Sequence, residues 1–321
     1  MKHRSNHGFT LLELLVAVTL TLGIAAVMFT VTSSTLALWR RTQDTFTITS
    51  QAKLALDLFE RDLHGAVFRP EATTTWLAAT LANSTGNLAS QGWQLAAVMK
   101  PATADSLALL PRRTDGSLDL ISRARFGVSG VWLRFITAVA ESAGDAALPR
   151  AVAYQIARRP VSGSISATNT AEVRYSLYRS AIASGTSFAN GNDVLASTYG
   201  ASLNSPSASE LLLTNVVDFG VWLYVRDSAG ALRQIFPSNA NDLDHAARDP
   251  GGAADANRYP QVADVMVRVL TEDGSRQIAA LEQGVIKRPA TYASDAEWWW
   301  AVVEGNSSVY VRRVEIKGVS Q

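Results

Sequence analysis

From Phe9 to Leu38 the chain is almost wholly apolar, and the one charge in that stretch is Glu13. Residues 14–31 carry no charge at all. A helix over 9–38 would measure about 45 Å, more than the roughly 30 Å hydrocarbon core of a bilayer requires. A single segment in lipid satisfies its own backbone groups only as a helix, so the pattern predicts a membrane-spanning helix over 9–39, with Trp39 at its interfacial end. Ahead of it, residues 1–8 are polar and basic through Lys2 and Arg4. A secretory signal peptide would have a shorter apolar region and then a small-residue cleavage site; here the apolar run continues into a helical pattern with no turn signal. A plain membrane anchor leaves Glu13 unexplained. A carboxylate at membrane depth costs about 2.5–3.5 kcal/mol on insertion scales unless it is paired or near the interface.

The segment Gly8-Phe9-Thr10-Leu11-Leu12-Glu13-Leu14 resembles the class III signal of type IV prepilins and type II secretion pseudopilins. The resemblance implies that residues 1–8 are a leader, cut between Gly8 and Phe9 on the cytoplasmic side by a prepilin peptidase that then N-methylates Phe9. It also implies that Glu13 pairs with the N-terminal ammonium of a neighbouring subunit during assembly. Such a partner accounts for the acid, since an isolated charge in a low dielectric is far less favourable than a paired one. The sequence departs from the major-pilin pattern in having Thr30 where a proline often stands, and Gly23 is the one helix-weakening residue of the span. Thr19, Thr21, Thr30 and Thr32 are expected to loosen the helix by bonding to its backbone. Arg40 and Arg41, just past the apolar run, nearly match the leader's positive charge, but a leader that meets the peptidase puts the head outside the cytoplasm.

Past Trp39 the helical pattern continues to Phe68. Ala52, Leu56, Phe59, Leu63 and Ala66 recur at steps of three and four and define one face; Lys53, Asp57, Glu60 and Arg61 lie off it. The spacings Lys53–Asp57 and Asp57–Arg61 suit solvent-side ion pairs. Arg69-Pro70 is the expected end of this amphipathic spine, residues 40–69. Residues 52–66 are similar to the same region of the larger minor pilins and pseudopilins of the J and W types.

Residues 70–321 read as a β-rich head. The segments 106–110, 130–139, 151–158, 172–178, 216–225, 262–270 and 309–316 are rich in strand-forming residues, and several alternate apolar with polar. Val265, Val267 and Val269 alternate with Met266, Arg268 and Leu270, as in a strand covered on both faces. Glu272-Asp273-Gly274 and Asp227-Ser228-Ala229-Gly230 are expected hairpin turns. Residues 183–210 and 237–260 are expected surface insertions. The expectation is an α+β, pilin-like fold: a long N-terminal helix, half membrane-spanning and half amphipathic, packed on a mainly antiparallel sheet of six or seven strands.

Signs of chemistry are sparse. There is no cysteine, which excludes disulfides and thiol catalysis, and there are four histidines. No phosphate-binding loop, His-Glu-x-x-His or Gly-x-Ser-x-Gly pattern occurs. His3 and His7 lie in the expected leader, His64 lies on the spine, and His245 is left in the head. Asn239, Asp242, Asp244 and Asp249 are candidate oxygen ligands for calcium, without the spacing of a calcium loop. Neither a cofactor nor a resident metal is expected. Ser294-Asp295-Ala296-Glu297 fits a capping box opening a short helix that carries Trp298, Trp299 and Trp300. Three successive indoles cannot all face inward on an isolated helix, so at least one is expected at the surface, as a docking or sugar-stacking patch or as the rim of a lid over the core. The doublets Arg112-Arg113, Arg158-Arg159 and Arg312-Arg313 would make a nucleic-acid stripe only if they converged; scattered strand-edge charges are the simpler reading, and with a net charge of +1 no nucleic-acid partner is expected.

Together these readings imply a non-enzymatic minor subunit of a type IV pilus or type II secretion pseudopilus, or a large-headed cassette prepilin. It would be single-pass in a bacterial inner membrane, with its head in the periplasm or at a filament tip. The implied partners are the prepilin peptidase, other pilin or pseudopilin subunits, the inner-membrane assembly platform and membrane lipid. A tip adhesin and a membrane-anchored hydrolase are the alternatives from other classes.

Overall fold

A computed structural model of the chain describes residues 10–69, 73–81, 100, 121–140, 147–160, 173–199, 203, 206–238, 244–248 and 257–316. The chain divides into two units, residues 1–49 and 50–321. Helix α1 (Leu11–His64) supplies the described part of the first unit and opens the second. In the first unit the apolar stretch Leu11–Leu36 is exposed along its length. Four of its threonine hydroxyls bond locally. Thr19, Thr21, Thr30 and Thr35 donate to the carbonyls of Val16, Ala17, Ala26 and Val31 at 2.7–2.9 Å. This is how a helix carries threonine through an apolar medium without leaving a donor unpaired.

In the second unit α1 turns one face inward. Ala52, Ala55, Leu56, Phe59 and Leu63 are buried, which is the spacing expected from periodicity. The helix ends at His64, before the expected Arg69-Pro70 boundary. Gly65 lies so close to strand β2 (Val131–Thr137) and the residues just after it that an added Cβ would fall 2.4 Å from Val139 Cγ2 and 3.0 Å from Thr137 Oγ1. Ala66 then bridges Thr137, and the Val67 N–H donates to the Ile136 carbonyl, so β2 takes over the backbone groups that a longer helix would have used.

The head has two antiparallel sheets rather than one. The six-stranded sheet runs β5-β4-β3-β2-β1-β8, with β1 (Leu77–Leu81), β2 (Val131–Thr137), β3 (Arg150–Pro160), β4 (Val173–Ala181), β5 (Leu211–Thr214) and β8 (Asp244–Ala247). The four-stranded sheet runs β10-β9-β6-β7, with β6 (Val216–Arg226), β7 (Leu232–Phe236), β9 (Val262–Leu270) and β10 (Ser307–Glu315). The spine reaches both. The Phe59 ring lies 6.3 Å from Phe135 and 4.7 Å from Tyr154 of the first sheet, and 6.1 Å from Phe219 of the second. These edge-on contacts make the centre of the core.

Strand β9 coincides with the segment read from alternation and is buried along its whole length. The Asp227–Gly230 turn closes the β6–β7 hairpin, with Gly230 at φ +81° and Asp227 Oδ1 accepting from the Ala229 and Ala231 N–H groups at 2.9 Å. Other expectations need correction. Glu272-Asp273-Gly274 is no turn but the first turn of helix α3 (Glu272–Glu282), capped by Thr271 Oγ1, which accepts from the Gly274 N–H at 3.0 Å. Residues 183–210 are more than a surface excursion. They hold the short helix α2 (Ser184–Ala189), bury Val194, Tyr199 and Leu203, and accept from Gln155 Nε2 at the Leu203 carbonyl (2.6 Å), which is how β3 comes to be buried on both faces. Residues 237–260 contain edge strand β8, paired to β1. The expected strand at 106–110 lies outside the described residues.

Gly220 of β6 tests the packing of the segment before β2 against the four-stranded sheet. A Cβ there would sit 2.1 Å from the Phe126 ring. Gly220→Ala is expected to destabilise the head by about 1–3 kcal/mol through overpacking, read as a lower urea midpoint with unchanged slope.

Candidate assembly site

Gly8 and Phe9 lie outside the described residues; Thr10 and Glu13 are within them. Thr10 is the residue before helix α1, and Glu13 is its third residue. The Thr10 backbone N–H and hydroxyl both donate to Glu13 Oε2, at 2.9 and 3.0 Å, while the Glu13 N–H lies 3.3 Å from Thr10 Oγ1. This reciprocal arrangement is a capping box. It places the carboxylate at the helix start, where the macrodipole favours an anion. The Thr-x-x-Glu spacing of Thr10 and Glu13 is the local signal for this cap. The side chains that follow, Leu11, Leu12, Leu14 and Leu15, are all exposed. The 26-residue stretch Leu11–Leu36 is the one helix among the described residues long and apolar enough to cross a membrane.

In the head, the three tryptophans correct an expectation. Helix α4 (Asp295–Gly305) starts as anticipated, with Ser294 Oγ accepting from the Glu297 N–H at 3.1 Å. Yet Trp298, Trp299 and Trp300 are 7%, 0% and 6% exposed. None offers an open face for docking or stacking. The helix is enclosed on several sides, which an isolated helical wheel does not represent. Trp299 Nε1 donates to Glu282 Oε1 of α3 at 3.1 Å and its ring meets Tyr175 of β4 edge-on. Trp300 lies under the cations of Lys100, Arg125 and Arg268, 5.3–5.9 Å from its ring. Glu282 also accepts from Arg158 Nε at 2.8 Å and from the Tyr175 hydroxyl. Burial and the nearby Glu282 charge push the Tyr175 hydroxyl well above the ordinary phenol range, so it stays a donor.

A second buried carboxylate, Asp62, anchors the spine. Its Oδ2 accepts from the Tyr154 hydroxyl and from Arg179 Nε, both at 2.6 Å. Tyr154 and Arg179 are direct cross-strand partners on β3 and β4. At the helix surface, Arg312 of β10 pairs with Asp57 at 2.6 Å and with Glu60, in place of the anticipated pairs along the helix. The arginine doublets at 158–159 and 312–313 are engaged internally: Arg158 with Glu282, Arg159 with the Pro206 carbonyl and the Tyr178 ring, and Arg313 with Asp264 through two bonds of 2.7 and 2.8 Å. Arg112-Arg113 lies outside the described residues.

Of the calcium candidates, Asp244 is an exposed residue of β8, and Asn239, Asp242 and Asp249 lie outside the described residues. Among the described residues no group of three or more His, Cys, Asp or Glu side chains is placed to hold a metal ion. His245 is buried in β8 with Nε2 2.9 Å from the Arg258 carbonyl oxygen, and His64 is half-buried, 3.9 Å from Glu60.

Residues 3–29 match the family model for the prokaryotic N-terminal methylation motif. No curated protein and no solved structure matches the chain. A methylation motif, a capped acid three residues into the helix and an exposed apolar span thus coincide in a chain with an antiparallel head. The chain carries, at its N-terminus, the signature of the prepilin and pseudopilin group.

Proposed function

We propose that this protein is a minor prepilin- or pseudopilin-like structural subunit. A prepilin peptidase cuts it between Gly8 and Phe9 and methylates Phe9; the helix then holds it in the inner membrane with its head on the periplasmic side. It enters a type IV pilus or type II secretion pseudopilus by packing that helix against those of other subunits on the assembly platform, with Glu13 meeting a neighbour's Phe9 ammonium. The observation that carries the reading is an exposed 26-residue apolar helix, entered through a methylation motif and bearing a single acid. Such a surface needs lipid first and other apolar helices afterwards. The head is long for a major subunit, which favours the J or W type. The chemistry is done to this chain rather than by it. The adhesin reading loses its clearest surface, because the indoles at 298–300 are buried.

Mass spectrometry of the cell-derived protein is expected to find N-methylated Phe9 as the first residue; any other start removes the processing assignment. Glu13→Ala is expected to be cleaved normally yet excluded from filaments. Wild-type incorporation of that variant in sheared-filament fractions would refute the pairing role.

A further inference from the structure

Lys100 is fully buried. Its Nζ donates to Asp218 Oδ1 at 3.2 Å and to the Val217 carbonyl, and both side chains of the pair are 0% exposed. The backbone explains the convergence. The β6–β9 register shifts between Val216 and Asp218, so Val217 is an extra residue in its strand, and a bulge re-aims the groups beside it. Asp218 Oδ2 is held by the Phe126 N–H at 2.9 Å. The surroundings are aromatic: Phe126 packs on Trp222 at 5.0 Å, and the Trp300 ring lies 5.9 Å from Nζ.

Burial pushes the Lys100 amine below the ordinary lysine range and the Asp218 carboxyl above the ordinary carboxylate range; each partner's charge opposes this, and burial is the larger influence on both. Burial thus acts on both groups in the direction of the neutral pair, an amine in direct contact with a carboxylic acid, from which condensation starts.

We propose that Lys100 and Asp218 condense to an intramolecular amide that cross-links the interior of the head. Lys100 Nζ attacks Asp218 Cγ, the C–N bond forms, the C–OH bond breaks, and the hydroxyl departs as water with a proton from Nζ. No oxidation state changes, and no co-reactant is consumed. Contact geometry replaces activation, since groups held together in a folded site reach effective molarities on the order of 10⁵ M or more. In a chain without cysteine, a covalent tie between these segments has to use other side chains.

The test is intact-mass and peptide-map analysis of the full-length chain from detergent-solubilised membranes. The expected mass lies one water below that of the sequence counted from its observed N-terminus, with a branched peptide joining Lys100 to Asp218. Full mass, with the two residues recovered on separate linear peptides, would show an ordinary buried ion pair and overturn the proposal. Lys100→Met is expected to restore full mass and to slow migration on a denaturing gel, a readout that does not require the variant to fold. A persisting water deficit in that variant would place the dehydration elsewhere and equally overturn it.

Discussion

Asp62→Ala is expected to destabilise the head by about 3–5 kcal/mol, the loss typical of removing one partner of a buried charge pair. The carboxylate is fully buried on the spine helix, Arg179 is nearly so, and the Tyr154 hydroxyl points at the same oxygen. Truncation removes the acceptor that the Arg179 guanidinium and the Tyr154 phenol share. Asp62→Asn keeps the shape and one acceptor oxygen but removes the charge, and is expected to cost about 1.5–3 kcal/mol. Urea unfolding of the detergent-solubilised full chain measures both. A loss for the alanine variant below about 1 kcal/mol, the level of exposed ion pairs, would mean that the spine does not depend on this anchor. The placement has a mechanical reading as well. One face of α1 is held by aromatic packing around Phe59, and Asp62 adds a directional contact that fixes the rotation of the helix against β3 and β4.

Trp299→Ala is expected to cost about 3–5 kcal/mol, because it empties one of the largest fully buried side-chain positions and leaves Glu282 without one of its donors. Trp299→Phe retains most of the volume and removes only the N–H, so it is expected to cost about 1.5–3 kcal/mol. These variants separate a core role from a recognition role. A stacking platform on the surface would lose ligand binding with little change in the urea midpoint. Here the midpoint itself should fall, and a Trp299→Ala head as stable as the wild type would show that the helix is not part of the core.

Much of the layout was legible from periodicity. The apolar run, the acid within it, the face through Ala52, Leu56, Phe59 and Leu63, and strands such as β9 each follow from local rules that need no knowledge of the remaining fold. Misreadings arose where a residue's role was decided by something distant in sequence. Gly274 read as a turn glycine, yet it sits in the first turn of α3, where an added Cβ would fall 2.6 Å from Asn306 Cβ. The Ser- and Asn-rich stretch at 183–210 read as solvent-facing, yet its few apolar residues suffice to cover β3. Short edge strands such as β5 and β8, of four residues each, carry too few alternations to be recognised alone.

The linear order of residues by itself determined that the chain begins with a greasy rod bearing one acid, that the rod continues as an amphipathic helix, and that strands follow. Each of those is a property of neighbours within a few turns. Only the tertiary structure decided that the strands form two sheets about the spine, that three consecutive indoles could all be enclosed, and which arginine meets which acid. Burial on every side, and the desolvation that makes a charge seek its partner, depend on groups brought together from far along the chain.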